Sequence, residues 1–363
     1  ALRLVGFYKN EDGWVDNIGT GIDDANSLSN YGVRASFMVE PASNFSVRIT
    51  GNYEYSKPAD SGLTNPDLGT FVRRTDRPDL FQSELSNLNA TVVWDMGFAE
   101  LTSSSTFADI NGAFIVDLAG TFNQTLPFAL DAVGYDTIFV QETRVASAPN
   151  DGPFDWIVGA FYFDKRRDVT FDYRSSLEFL RERNLTGLPD EYYQRFANYT
   201  DITEKAVFGE ATFRFSDSFW LTGGLRYGGT EVQTITRGGG YNSNYLTAAI
   251  FGLRNFALTV TPIAPEVGLE ASDCQLSWKA SASFKPSNDV TTYATVSTGF
   301  RPPVVNARAG LASTVDPTDI IIPAGASSDK LTNYEVGIKS SLFSGRLIAN
   351  VAAFYIDWNN IQV

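Results

Sequence analysis

Few of the 363 residues are equipped for covalent chemistry. There is no histidine and a single cysteine, Cys274. A Ser-His-Asp triad, a zinc site of the two-His kind and His-ligated haem are therefore excluded within these residues. Two glycine clusters, GGLRYGG (223–229) and RGGGYNS (237–243), lack the Gly-Lys-Ser/Thr ending of a phosphate loop; the first reads as strand and the second as loop. DDANSLSN (23–30) offers oxygen ligands of the kind Ca²⁺ takes, but its spacing matches no standard loop, and a solvated turn is the expectation. What remains is recognition by charge and amide, for which Arg226, Lys279, Arg301 and Asn306 are the candidates. No metal site and no cofactor is expected.

Such residues act only when a frame positions them. The composition describes that frame: 27 Phe, 16 Tyr and 6 Trp accompany 30 Gly, and aromatics with glycines recur together in β proteins. The formal charge of −14 and the lack of any basic run exclude nucleic acid as a partner. One cysteine cannot form an internal disulfide, which leaves the redox compartment open. No stretch approaches the roughly 18 to 20 apolar residues of a membrane-spanning helix. The chain begins with Ala1, and no signal peptide is visible.

Periodicity is more informative. In YGVRASFMVE, Tyr31, Val33, Ala35, Phe37 and Val39 share one parity. After Pro41 to Asn44 the alternation resumes with Phe45, Val47, Ile49, Tyr53 and Tyr55, giving a hairpin with one apolar face. Similar pairs are predicted at 84–94 with 99–109, 138–148 with 155–166, 206–215 with 219–228, 275–285 with 290–300, and 331–340 with 346–356. With a first strand at 1–9 this makes thirteen. Within pairs the connectors are short (DMGF, PNDGPF, SDS, PSND, SLFSG). Between pairs they run to roughly 25 to 45 residues.

This alternation matches an outer-membrane β-barrel, with short turns at the periplasmic rim and long loops outside. Tyr55, Trp94, Trp156, Trp220, Tyr227 and Trp278 are expected to form the aromatic girdles. Arg34, Arg48, Glu54, Glu142, Arg144, Glu210, Arg214, Arg226, Lys279, Glu335 and Lys339 are expected on a wet lumen face. A dry core would charge several kcal/mol for each unpaired one. A soluble sandwich is the alternative, and it requires the apolar face to pack against a second sheet. The segment 175–196, with Leu177, Leu180 and Leu185, reads as a short helix in an outer loop. In GFRPP, Pro302 and Pro303 end a strand, because proline cannot donate to the ladder, and Arg301 stands at the lumen mouth.

Several segments go further. YATVSTGFRPPVVN (293–306), LTNYEVGIKSSLFSGRLIANVAAFYIDWNNIQV (331–363) and FVQETRVASAPNDGPFDWIVGAFYF (139–163) resemble the barrel of TonB-dependent outer-membrane receptors, as does LVGFYKNEDGWVDN (4–17) followed by NYGVRASF. The family usually has Gly or Ala where Pro303 stands. The resemblance implies an all-β transmembrane antiparallel barrel of about 22 strands, a preceding plug, and a location in the outer membrane of a Gram-negative bacterium. On this reading residues 1–363 are one barrel domain, incomplete at both ends. The implied partners are outer-membrane lipid, the energy-coupling protein TonB and a small-molecule chelate or nutrient. The implied activity is energy-coupled uptake, with a passive porin as the alternative and a surface enzyme or adhesin as a third class. Arg226, Lys279 and Arg301 could draw in an anionic chelate despite the chain's net charge, since the local field steers a ligand. The absence of His argues against haem, although Tyr remains an available ligand.

Overall fold

The computed structural model describes residues 1–121, 127–149, 152–265, 268–306, 318 and 323–362. One antiparallel sheet dominates it. Its strands are β1 (Leu2–Glu11), β2 (Leu28–Ala42), β3 (Phe45–Pro58), β4 (Leu80–Asp95), β5 (Ala99–Val116), β6 (Phe128–Ser147), β7 (Phe154–Ser175), β8 (Tyr192–Ser216), β9 (Phe219–Ser243), β10 (Leu269–Ser287), β11 (Val290–Arg301), β12 (Asp329–Leu342) and β13 (Leu347–Asn359). Each pairs with its neighbours in chain order, so the sheet is an unbroken meander from β1 to β13. A short strand, Val260–Ile263, joins the far end of β9 off that path. Among the described residues, β1 and β13 each have one strand neighbour and do not pair with each other. Among the described residues no helix is long and apolar enough to cross a membrane, which says nothing of crossing by strands.

Among the described residues no second layer covers the apolar face: the other two sheets have two strands each. Val33, Phe37, Ile49, Leu221, Leu225, Val336 and Ile338 are all exposed, up to 61% for Leu225. Ala35 is exposed too, and Val47 is half-buried. The sandwich alternative requires these residues in a core. They instead form the continuous outer skin of a sheet that lipid covers.

Two aromatic belts bound this skin. Trp94, Phe154, Trp156, Phe213, Phe219 and Phe284 lie beside the short turns. Toward the other rim Tyr8, Tyr31 and Tyr55 stand in register across three strands, and Tyr227 faces outward on β9 opposite Leu276. Trp278 pairs with Leu225 on the same face. Trp220 departs from expectation. It lies opposite Arg214 and Ser283 and shares the parity of Thr222 and Arg226, so it faces the lumen. Phe219, the first residue after the two-residue turn, takes the outward place.

A polar island interrupts the outer skin at β5 and β6. Ser105 pairs with Gln141 and Ser103 with Thr143, on the face of Phe107 and Phe139. The Gln141 amide donates to Ser103 Oγ and Thr143 Oγ1, both at 3.0 Å. These groups satisfy one another, as polar atoms in hydrocarbon must.

The structure also explains why glycine accompanies aromatics. A Cβ on Gly159 would lie 2.4 Å from the Phe208 ring, and one on Gly337 would lie 2.5 Å from that of Tyr293. The rings lie flat over the cross-strand glycines, covering bare backbone inside the lumen.

Strand lengths exceed expectation above the membrane. The predicted 138–148, 155–166, 206–215 and 219–228 become 128–147, 154–175, 192–216 and 219–243. Their extensions are rich in Thr, Asp, Arg and Gly with apolar residues only intermittent, so a search for sustained apolar alternation ends where the lipid does. RGGGYNS is accordingly strand, not loop. Arg237 pairs with Ala197 and Tyr241 with Arg195, so Gly238 to Gly240 form a bulge. Gly239 has φ +96°, and a Cβ on Gly240 would meet Arg195 O at 2.0 Å. The expected helix within 175–196 shrinks to Leu177–Glu182, and the segment re-enters β8 at Tyr192.

Candidate functional site

Six short turns lie at one rim and six long connections at the other. At the long-loop rim the chain builds two compact assemblies. The first ties the connections after β1, β3 and β5 together through buried polar groups. Arg73 bridges Asp60 (2.8 Å) and Asp79 (2.6 Å), and all three are at most 3% exposed. Asn17 Nδ2 donates to Asp60 Oδ2 and Thr75 Oγ1, while backbone amides of Asp79 and Asp117 donate to Asp60 and Asp79. DDANSLSN is part of this assembly: Asn26 Oδ1 accepts from the amides of Trp14 and Val15, fixing a turn.

The second assembly is apolar. Leu185, Tyr193, Tyr245, Ala248 and Leu258 form a small core from the connections after β7 and β9 and the start of β8. Tyr245 stacks on Tyr193 with ring centroids 4.9 Å apart, and its hydroxyl donates to Pro127 O at 2.6 Å. Burial pushes the Tyr245 phenol up to about 12, against a smaller lowering by the Ser176 amide. Of the three leucines expected on a helix face, Leu185 is buried in this core and Leu180 packs on it, whereas Leu177 is exposed.

The four sequence candidates fall in two places on the lumen face. Arg226 and Lys279 line a lower cavity against β8 to β11. Each is engaged by a carboxylate: Arg226 Nη2 lies 2.6 Å from Glu204 Oε1 and its guanidinium 5.0 Å from the Phe161 ring centroid, and Lys279 Nζ lies 2.6 Å from Glu210 Oε2. Arg144 pairs with Glu142 in the same cavity.

Arg301 and Asn306 line a separate cavity of about 540 Å³ toward the long-loop rim. Its floor is the inner face of β7, β8 and β9, including Lys165, Arg167, Phe171 and Thr200. Its other wall is 302–306, which leaves β11 at the two prolines. That segment is pinned at several points: Val304 and Val305 pair with Ala326 and Gly325, and Asn306 Nδ2 donates to Pro323 O at 2.9 Å. Gln362 Nε2 donates to Pro302 O at 2.8 Å. Arg301 Nε donates to Asp329 Oδ2 at 2.7 Å and its guanidinium lies 5.1 Å from the Trp358 ring centroid. Burial alone would raise the Asp329 carboxyl, but hydrogen bonds from Arg301 and backbone amides outweigh it and hold the group below the usual carboxylate range.

Lys165 and Arg167 were not singled out from the sequence. Their signal is the pair of cations at i and i+2 in DKRRD, both on the lumen parity, and it becomes readable only once β7 is known to continue to Ser175. Among the described residues no group of three or more Cys, Asp or Glu could hold a metal ion.

The family model for the TonB dependent receptor-like β-barrel matches residues 8–363. The fold is also similar to solved structures. These include the ferric yersiniabactin uptake receptor FyuA from Yersinia pestis (TM-score 0.76, 16% identity, covering 99% of this chain and 50% of that one). The ferric citrate transporter FecA gives a TM-score of 0.65 at 12% identity, covering 99% and 46%, and the copper transporter OprC gives 0.64 at 13%, covering 98% and 49%. The chain thus spans about half the length of these structures. With its lipid-facing skin, two aromatic belts and one rim of long loops, the chain belongs to the TonB-dependent receptor β-barrel family of the Gram-negative outer membrane.

Proposed function

We propose that this sheet is the wall of an outer-membrane receptor that takes up a scarce small molecule, drawing on energy supplied by TonB from the periplasm. Membership of the family supports this reading, and one observation of the chain itself carries it. Both buried assemblies sit at the long-loop rim, and the apolar one caps the two longest strands. A diffusion pore has no need of two folded loop assemblies at its mouth, whereas a receptor needs a shaped and rigid one to hold a ligand. The relatives' names point to metal-containing cargo, ferric yersiniabactin, ferric citrate and copper, and a chelated metal is the cargo class we assign. Vitamins and oligosaccharides are the other cargoes to test. The protein acts by binding and transport, without covalent chemistry. Of the sequence candidates, Arg301 and Asn306 stand on the ligand side, and Arg226 and Lys279 brace the wall.

The test uses the full-length gene in a strain lacking the receptor, grown with a single ferric chelate as iron source, with TonB present or deleted. TonB-dependent rescue is the expected result. Rescue that persists without TonB would instead establish a passive porin.

A further inference from the structure

The two lumen cavities contain the same chemical groups arranged with different exposure. In the lower one the partners of each ion pair are about equally accessible: Lys279 and Glu210 are both 40% exposed. A ligand there meets as much negative as positive surface. In the upper cavity the charges are sorted. Arg301 is 46% exposed while its partner Asp329 is 2%, and Arg167 is 53% exposed while Asp136 is 15%. Lys165 approaches the same Asp136 at 2.8 Å, whereas Arg167 stands 3.6 Å from it, beyond hydrogen-bond reach. One half-buried carboxylate thus serves two cations, and three cations face two carboxylates, in a chain whose formal charge is −14. Because the carboxylates lie behind the cations, the field entering the cavity is positive where the chain as a whole is negative.

We propose that this upper cavity binds a small anion whose charge is carried by carboxylates, with Arg167 and Arg301 as its principal contacts and Lys165 supporting them. This rests on the uptake reading for its biological meaning, but the site itself stands on geometry. The guanidinium fork matches a carboxylate with two parallel hydrogen bonds. Thr200 and Thr234, 3.1 Å apart, offer hydroxyls on the floor, and Val169, Ile202 and Val232 make the rest of it apolar. Fewer competing waters strengthen each charged contact. A volume of about 540 Å³ suits a compact multidentate anion. A purely structural role accounts for Arg301, which latches 302–306 to Asp329. It does not account for Arg167, whose charge is turned toward the cavity and whose nearest carboxylate Lys165 already engages.

The experiment uses the purified full-length receptor in detergent, with no energy source, and measures binding of citrate, ferric citrate and the uncharged maltotriose by calorimetry at low and high salt. Wild type should bind citrate or its ferric complex, more weakly as salt rises, and should not bind maltotriose. Arg167→Gln should weaken the anion about tenfold, since it removes one charge-assisted contact. Arg167→Lys should restore part of the loss, and Lys279→Gln should change affinity less than twofold. Arg167→Gln is the decisive variant because Lys165 still neutralises Asp136, so the fold has no new buried charge. Failure of wild type to bind either anion, equal binding by Arg167→Gln, or an equal loss in Lys279→Gln would overturn the assignment. The uptake reading fails separately, through TonB-independent rescue in cells.

Discussion

The lipid-facing band and the loop assemblies of one chain follow opposite rules for what is buried. In the band, side chains alternate between lipid and lumen, and almost nothing is enclosed by protein. Above it, the largest fully buried side chains include Tyr245, Val15, Asn17, Thr75 and Asp79, all in or beside the long connections. The band derives its stability from the hydrogen-bonded ladder and its surrounding lipid. The rim derives its stability from small protein-like cores. Each region should therefore fail under perturbations that the other tolerates.

The sharpest break of that contrast is at Arg73. Arg73→Met leaves Asp60 and Asp79 buried without their cation, which should cost about 3–5 kcal/mol locally. Amide exchange should rise through 12–27 and 59–79 while the transmembrane strands stay protected; collapse of the whole sheet would show that the regions are not separable. Tyr245→Ala should cost about 3–4 kcal/mol in the other assembly by opening a cavity, read as proteolytic cleavage within 176–191 and 244–259.

A reversed perturbation follows in size. Leu225→Arg would be nearly neutral on a water-facing surface, yet at the bilayer midplane it should destabilise the band by about 2–4 kcal/mol, measured by urea unfolding in liposomes. Its loops should keep native exchange. Alkali should loosen the assembly around Tyr245. The Tyr245 phenol has a folded pKa raised to about 12 from 10.0, so its contribution is complete below pH 10 and is lost as pH rises from 10 to 12. This amounts to roughly 2–3 kcal/mol, visible as delayed ionisation at 295 nm that Tyr245→Phe removes. The smallest effect belongs to the polar island. Gln141→Leu leaves Ser103 and Thr143 able to pair with each other and takes an acceptor from Ser105, and it should cost about 1 kcal/mol.

What the sequence made legible follows the same division. Thirteen strands, their order, the short-turn rim and the outer skin were readable because lipid imposes period two on every crossing. Trp220 was misplaced because a girdle assignment by residue type ignores parity, which the turn before Phe219 sets. The upper strand extensions were missed because Thr, Asp, Arg and Gly dilute the apolar positions there, and water on both faces imposes no sustained period of two. Arg301 stood out as a candidate because the prolines after it end a strand, whereas Lys165 and Arg167 did not stand out, since their meaning depends on an Asp136 about 30 residues away and on a chain segment that folds across the lumen. Pairing distances of 58 residues, as between Asn17 and Thr75, likewise leave no local periodicity to read.

The 25-residue β8 and β9 have a mechanical consequence. At about 3.4 Å per residue and a tilt near 40°, such a strand climbs roughly 65 Å, while the hydrocarbon occupies about 25 Å. The remainder, at most about 40 Å, is a stiff mast of paired backbone, cross-braced by Arg195 with Asp172 and Arg237 with Asp168. It sets a fixed standoff between the cell surface and the aromatic core at its tip, so the height of that core is set by sheet geometry and not by the reach of a tether.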